Sequence, residues 1–600
     1  MRGGGKRRAE NSSDISGHAY DARLMKRLMQ YLKPMWVAIV VSIILLFGAT
    51  GTELASPWII KRAIDEHVAI GKVDGLGGMI LLLVGVMIAA FVFRFMQTYL
   101  TQWIGQRVIF NIRTQLFNHL QKQDLKFVDS HQVGWLMTRL TADVQSLYDL
   151  LSQGIIAIFG DLLTLAGIVI IMLMMDVKLA LVSFIVVPMI ILVVYLFRKK
   201  VRVTFRIIRE ARAVLNGFMQ EHISGIRTAQ IFVQESAVYR KFQDLNRKLR
   251  AANVQAVHYF AMFFPVINFL SALAVALILL VGGLMIRSEA LSWGALVAFL
   301  AYSERFFRPI RDLSERYNTM QVAMTAAERI FWLLDSNPEI VDLPEPKPLQ
   351  NIKGEVKFEH VTFEYKVGEP ILKDISFDVK PGETVAIVGA TGAGKTTLIT
   401  LLQRLWDVTE GSIKLDGVNI REYRQAELRR SFGVVSQDVF LFSGTIAENV
   451  TLGDESYNGE RLQSALKQAN ASDFIDEMPD GVNEIVGERG ARLSGGQKQL
   501  LAIARALATN PPVLLLDEAT AAIDTETERK IQEALDKLMI GRTTLVVAHR
   551  LSTIRNASKI IVIHKGKLVE MGTHDELMEL DKIYARLFRM QFAENVEAVK

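Results

Sequence analysis

The run Gly389-Ala390-Thr391-Gly392-Ala393-Gly394-Lys395-Thr396-Thr397 has the spacing of a loop that closes around phosphate. Its glycines let backbone N–H groups turn inward, Lys395 can reach the β and γ phosphates, and Thr396 offers a hydroxyl to magnesium. A short apolar strand from Thr384 precedes it and a helix to about Arg404 follows, the context that such a loop demands. A second run, Pro512-Val-Leu-Leu-Leu-Asp517-Glu518, reads as a strand buried on both faces and ending in two carboxylates. Ligands of parallel sheets collect at the carboxyl ends of strands, so Asp517 is expected near magnesium and Glu518 near an attacking water, as its general base. A third run, Leu493-Ser494-Gly495-Gly496-Gln497, opens a helix through Ala508, where Ser494 can cap and free N–H groups make another anion site. One nucleotide does not need two such sites.

These loops need an α/β domain to hold them, and residues 351–600 carry the evenly spread charge of one. The first half of the chain is different. Of all 600 residues, 50% are hydrophobic and only 22% charged, and the apolar surplus lies in residues 35–310. A helix needs about 20 apolar residues to cross about 30 Å of hydrocarbon. Six segments qualify: Trp36 to Pro57, Leu76 to Tyr99, Leu151 to Met175, Val177 to Phe197, Tyr259 to Ile286 and Leu291 to Ile310. With the N-terminus inside, only Lys61, Arg62, Lys72, Lys178 and Arg287 flank the spans on the outer side, and the remaining basic flanks are inner. The stretches 100–150 and 198–257 keep helical periodicity, so the spans are expected to continue as helices into the cytoplasm. The absence of cysteine excludes disulfides, thiolate zinc, iron–sulfur clusters and a cysteine nucleophile. The net charge of +6 is topogenic and lipid-facing on this reading, and no nucleic-acid partner is expected.

The expected division is a disordered tail at 1–19, a membrane domain at 20–334, a proline-rich linker at 335–353 and a nucleotide-binding domain at 354–600. With six spans ahead of it, the Ser494 run makes the whole chain resemble the half-transporters of the ATP-binding cassette exporters. In that family the run is the signature motif, and it contacts the γ-phosphate of ATP held by the phosphate loop of a partner cassette. The implied fold is a six-helix membrane domain with long cytoplasmic extensions followed by an α/β P-loop cassette. The resemblance implies ATP and Mg2+ as cofactors. It implies that Tyr365 stacks on adenine, that Gln437 contacts magnesium and water, that Asp524 speaks across the dimer and that His549 holds γ-phosphate and water. It also makes Val486-Gly-Glu488-Arg-Gly490 similar to a short exporter loop that touches the membrane domain. The segments around Phe127-Val-Asp129 to Gly134 and Gln220-Glu221 to Gly225-Ile226 resemble the intracellular loops that dock on cassettes.

The function expected from this resemblance is ATP-driven export or flipping of hydrophobic or amphipathic drugs or lipids, by alternating access in a dimer embedded among membrane lipids. The alternative is an ATP-gated channel or regulator, which the intact set Glu518, Gln437 and His549 disfavours. The run Ala519-Thr-Ala-Ala-Ile-Asp524 resembles the catalytically complete subunit of heterodimeric bacterial multidrug exporters, which favours a heterodimer over a homodimer. The expected place is the bacterial cell membrane, with the N-terminus and ATPase domain in the cytoplasm. Ionisable groups inside spans mark function by default, and Asp161, Glu304 and Arg305 are the candidates for contact with cargo.

Overall fold

A computed structural model describes residues 21–71, 74–454, 457, 459–517, 525–548 and 551–597. The chain forms two compact units, Met1–Gln121 with Val133–Ser336, and Lys122–Gln132 with Asn337–Lys600. The tail expected at 1–19 lies outside the described residues.

The first unit is helical. Its elements are α1 (Ala22–Leu32), α2 (Trp36–Ala63), α3 (Leu76–Gln121), α5 (Val133–Met175), α6 (Val177–Ser224), α7 (Ile226–Ile231), α8 (Glu235–Arg287) and α9 (Trp293–Asp335), while α4 (Leu125–Ser130) belongs to the second unit. Asp21 caps α1 by accepting from the Arg23 N–H at 2.8 Å, and Pro34 falls in the short turn that leads into α2. At 1.5 Å per residue the 46 residues of α3 run about 69 Å, more than twice the hydrocarbon thickness of a bilayer. Five of the six expected segments lie in helices long and apolar enough to cross a membrane. The sixth lies in α9, where Glu304 and Arg305 interrupt the apolar run. Helix α2 packs along α3, and α6 packs along α8 at a core that includes Phe299, Tyr302, Ile267 and Ala274. Between α2 and α3, the buried Ser42 Oγ and Thr101 Oγ1 satisfy each other at 3.0 Å.

Both long polar stretches are helical, as the periodicity predicts, but each is broken into a short helix. Before α4 the break is made by Asp124, whose carboxylate accepts from the Phe127 N–H at 2.9 Å. Before α7 it falls at Gly225, and after α7 Val233 takes a left-handed φ of 52°.

The second unit is α/β. Strands β1 (Val356–Glu364), β2 (Pro370–Val379), β4 (Glu410–Leu415) and β5 (Val418–Asn419) form an antiparallel sheet in the order β2-β1-β4-β5. A larger sheet has the order β10-β9-β3-β8-β7-β6, from β3 (Thr384–Val388), β6 (Phe432–Val435), β7 (Val513–Asp517), β8 (Thr543–Val547), β9 (Lys559–His564) and β10 (Lys567–Gly572). All its pairings are parallel except β9 with β10. Strands β3, β7 and β8 are almost wholly buried, which is why they read as unbroken aliphatic runs and not as alternating patterns.

Candidate functional site

The site is built on the carboxyl edge of the six-stranded sheet. Val435 of β6 pairs with Leu516 of β7, Asp517 with Val547 of β8, and Val547 with Ile387 of β3. This register brings Gln437, Asp517 and the loop after Val388 to one edge, although they come from three separate stretches of sequence. Glu518 and His549, which follow β7 and β8, and Asp524 lie outside the described residues. Gln437 is exposed, two residues past the end of β6.

Between β3 and helix α10 (Lys395–Leu402) the chain makes the phosphate-type loop. Gly394, the residue before the helix, has φ 102°, and a Cβ there would meet Leu372 Cδ2 at 2.7 Å, so backbone handedness and space both demand glycine. Lys395 is only 7% exposed, and its Nζ donates to the carbonyl oxygens of Gly389 at 2.7 Å and Ala390 at 3.2 Å. Burial pulls this ammonium below the ordinary lysine range, and the charge of Asp517 opposes the shift. Thr396 Oγ1 donates to Asp517 Oδ2 at 3.1 Å. Two hard oxygens therefore stand together at a helix N-terminus, which suits an ion that keeps waters and phosphate oxygens in its shell. Thr391, Gly392 and Ala393 complete the loop, and the buried Thr397 turns back toward the antiparallel sheet.

Tyr365, just past β1, has its hydroxyl 3.3 Å from Thr397 Oγ1. Its ring meets Phe363 at 4.7 Å and Trp406 at 5.0 Å, both edge to face, and remains 41% exposed. Sequence reasoning missed Trp406. The signal was a tryptophan shortly after the phosphate-loop helix, where an ordinary helix end would need none.

The run Leu493–Gln497 lies at the start of α11 (Gly495–Thr509). Ser494 accepts from the Gln497 N–H at 3.2 Å, and Gln497 Oε1 accepts from the Ser494 N–H at 2.9 Å, a closed capping box. Leu493 and Gly496 are buried while Ser494 and Gly495 are exposed, so the hydroxyl proton of Ser494 stays available to an anion arriving from outside. The loop Val486–Gly490 is irregular, with left-handed Gly487, Arg489 and Gly490.

Segment Lys122–Gln132, which contains Phe127 and Asp129, clusters with the α/β unit. Asp124 Oδ2 accepts from the Glu339 N–H at 2.7 Å, and Lys126 pairs with Glu339 at 2.5 Å. The second expected docking segment, at Gly225–Ile226, belongs to the helical unit, where Ile226, Ile231, Phe232 and Val233 are exposed. Among the candidates for cargo contact, Asp161 pairs with Arg316 at 2.8 Å and Arg305 donates to the Glu53 carbonyl oxygen, whereas Glu304 is exposed and makes no ion pair among the described residues.

Comparison with known proteins agrees with this layout. The model of the ABC transporter transmembrane region matches residues 39–310, and the ABC transporter model matches residues 372–521. YgaD of Bacillus subtilis, named as a multidrug export ATP-binding/permease protein, is 37% identical over 575 residues, covering 95% of this chain and 99% of that protein. A Staphylococcus aureus protein with the same kind of name is 38% identical over 576 residues, covering 95% of this chain and 100% of its own. The ABC transporter ATP-binding protein YknV of Bacillus subtilis is 35% identical over 589 residues, 98% of each. A multi-pass membrane region and one ATP-binding domain thus share a single polypeptide, and the chain belongs to the ABC transporters, as a half-transporter.

Proposed function

We propose that this chain is the catalytically complete half of an exporter that uses ATP hydrolysis to move hydrophobic or amphipathic compounds out of a bacterial cell, its ATPase domain in the cytoplasm. The observation that carries the proposal is the pairing of Thr396 with Asp517 beside a buried Lys395, on a chain whose other unit is built of membrane-length helices. The relatives named for multidrug export support the cargo class.

ATP enters with adenine on the exposed face of Tyr365, which Phe363 and Trp406 hold upright. Its phosphates take the loop N–H groups and draw Lys395 from the Gly389 and Ala390 carbonyls, exchanging two neutral acceptors for a charged one. Thr396, Asp517 and Gln437 would hold magnesium, which would supply positive charge to offset the charge that develops on the phosphates. Glu518 takes the proton from the attacking water, and His549 steadies that water and the γ-phosphate. Ser494 of a second half-transporter completes the other side of the nucleotide.

The coupling is a population shift. ATP favours the closed dimer only because the Ser494 contact exists in that state alone, and hydrolysis removes that preference. Helices α4 and α7, which resemble the intracellular loops of exporters, would be the segments that transmit this closure. We favour a second chain of different sequence as the partner, on the resemblance carried by Ala519–Asp524. Glu304 gives positively charged amphipaths an intramembrane counter-charge, since Asp161 and Arg305 are engaged within the helical unit. The test is ATPase activity of the chain in lipid nanodiscs, alone and with candidate partner chains. A reading without pumping is sunk if inside-out vesicles accumulate a fluorescent amphipath only while ATP is hydrolysed.

A further inference from the structure

We propose that a cavity under the N-terminal helix holds one acyl chain of an anionic phospholipid, with its headgroup against Lys33. The cavity measures about 520 Å³, within the range of specific small-molecule pockets (about 300–1,000 Å³), and it is walled by α1, α2, α3 and α5. Its inner wall is hydrocarbon, with Ile43, Ile104 and Phe159 among its lining. The hydroxyl of Thr101, which also reaches it, is already engaged with Ser42 Oγ at 3.0 Å. Ordered water needs two to four polar partners, and this wall does not offer them, so its natural filling is apolar.

Three observations fix which apolar molecule. Lys33 lies on the rim and forms no ion pair among the described residues. Arg23 and Lys26, on the exposed side of α1, form none either, so three cations share one short surface. Trp36, which also lines the cavity, is 65% exposed, and an exposed tryptophan at a helix start marks headgroup depth. Helix α1 is fixed over the opening, because Arg27 pairs with both carboxylate oxygens of Asp335 at 2.6 Å and lies 4.4 Å from the Phe331 ring. A hydrocarbon pocket opening at headgroup depth beneath unpaired cations fits a molecule with a long tail and a phosphate diester.

The full chain would be placed in nanodiscs containing a trace of phosphatidylglycerol with a photoreactive group in mid-chain. Phosphatidylcholine with the same tail would serve as the second probe, and cross-links would be mapped by peptide mass spectrometry. The phosphatidylglycerol probe should label the Ile43 and Phe159 segments above the phosphatidylcholine probe. Lys33→Gln should reduce that labelling about fivefold, the effect of removing one basic residue near an anionic headgroup. Val40→Trp, at a half-exposed position on the cavity wall, should abolish labelling by both probes. Labelling spread evenly over lipid-facing helices, or unchanged by both substitutions, overturns the proposal. So does displacement of the lipid probe by an uncharged transported compound, which would make the cavity a cargo site. ATPase read on discs that also hold candidate partner chains separates this proposal from the export reading, on which it does not depend. Full activity without selective labelling removes the lipid site alone, and selective labelling without activity in any pairing removes the export reading alone.

Discussion

Thr396 Oγ1 donates to Asp517 Oδ2 at 3.1 Å although 121 residues separate them in the chain. The contact joins the first turn of α10 to the last residue of β7, the place where a magnesium-bound phosphate would need both oxygens. Asp517→Asn should therefore lower kcat by about 10² or more, the scale for losing one electrostatic partner of a transition state. Metal-free nucleotide binding should change far less. Equilibrium binding of a fluorescent ATP analogue in EDTA, set beside steady-state hydrolysis in magnesium, checks both halves of this expectation.

Glu518→Gln should bind ATP and trap the closed dimer while hydrolysing about 10² to 10⁴ times more slowly, the usual contribution of a general base. Single-turnover assays decide the matter, and vigorous turnover in this variant would remove the assignment.

Exposure of Ser494 and burial of Lys395 lead to a mixing experiment. Lys395→Ala and Ser494→Arg should each be inactive, and with a partner of different sequence their equimolar mixture should be inactive too. Recovery to about a quarter of the wild-type rate, the statistical yield of one intact site in randomly paired two-fold dimers, would establish a homodimer instead.

In the helical unit the carboxylate of Asp143 holds Arg139 at 2.7 Å and Arg329 at 2.6 Å, and both Asp143 and Arg139 are buried. Asp143→Asn leaves two guanidinium groups without their counter-charge and should cost about 3–5 kcal/mol, as removal of one partner of a buried ion pair does. Replacing Asp143 and Arg139 together by apolar residues of similar volume should cost much less. Thermal unfolding of both variants in one detergent gives the comparison.

A pH effect is expected at His574, whose Nδ1 lies 2.7 Å from the Tyr584 hydroxyl. Burial lowers its pKa below the ordinary 6.5, and Arg555 adds to this while Asp575 opposes it. The unfolded chain thus takes up the proton more readily than the folded one. The stabilising contribution is present above pH 6.5 and is lost as pH falls below it. Melting curves of wild type and His574→Gln from pH 8 to 5.5 should converge toward the acid end, and parallel curves would refute the effect.

Much of the nucleotide site could be read from the chain because its parts are consecutive. A strand, a glycine turn and a helix start within a dozen residues are set by local backbone rules, and Thr384–Val388 and Lys395–Leu402 occur where those rules put them. The membrane segments were readable for a similar reason, since uncharged length is a property of one stretch. The short helices α4 and α7 were legible only as motifs. That α4 clusters with the α/β unit while α7 remains in the helical one follows from contacts such as Asp124 with Glu339.

Sequence by itself determined the family, the order of the two units and the loop that would grip phosphate. Tertiary structure decided that Trp406 supports Tyr365, that Asp161 is taken by Arg316, that Asp143 holds two arginines and that a cavity opens under α1. The difference is physical. Backbone handedness, hydrogen-bond periodicity and hydrophobic length act between neighbours along a chain, whereas ion pairs, ring contacts and voids arise from side chains that meet only after distant elements have packed.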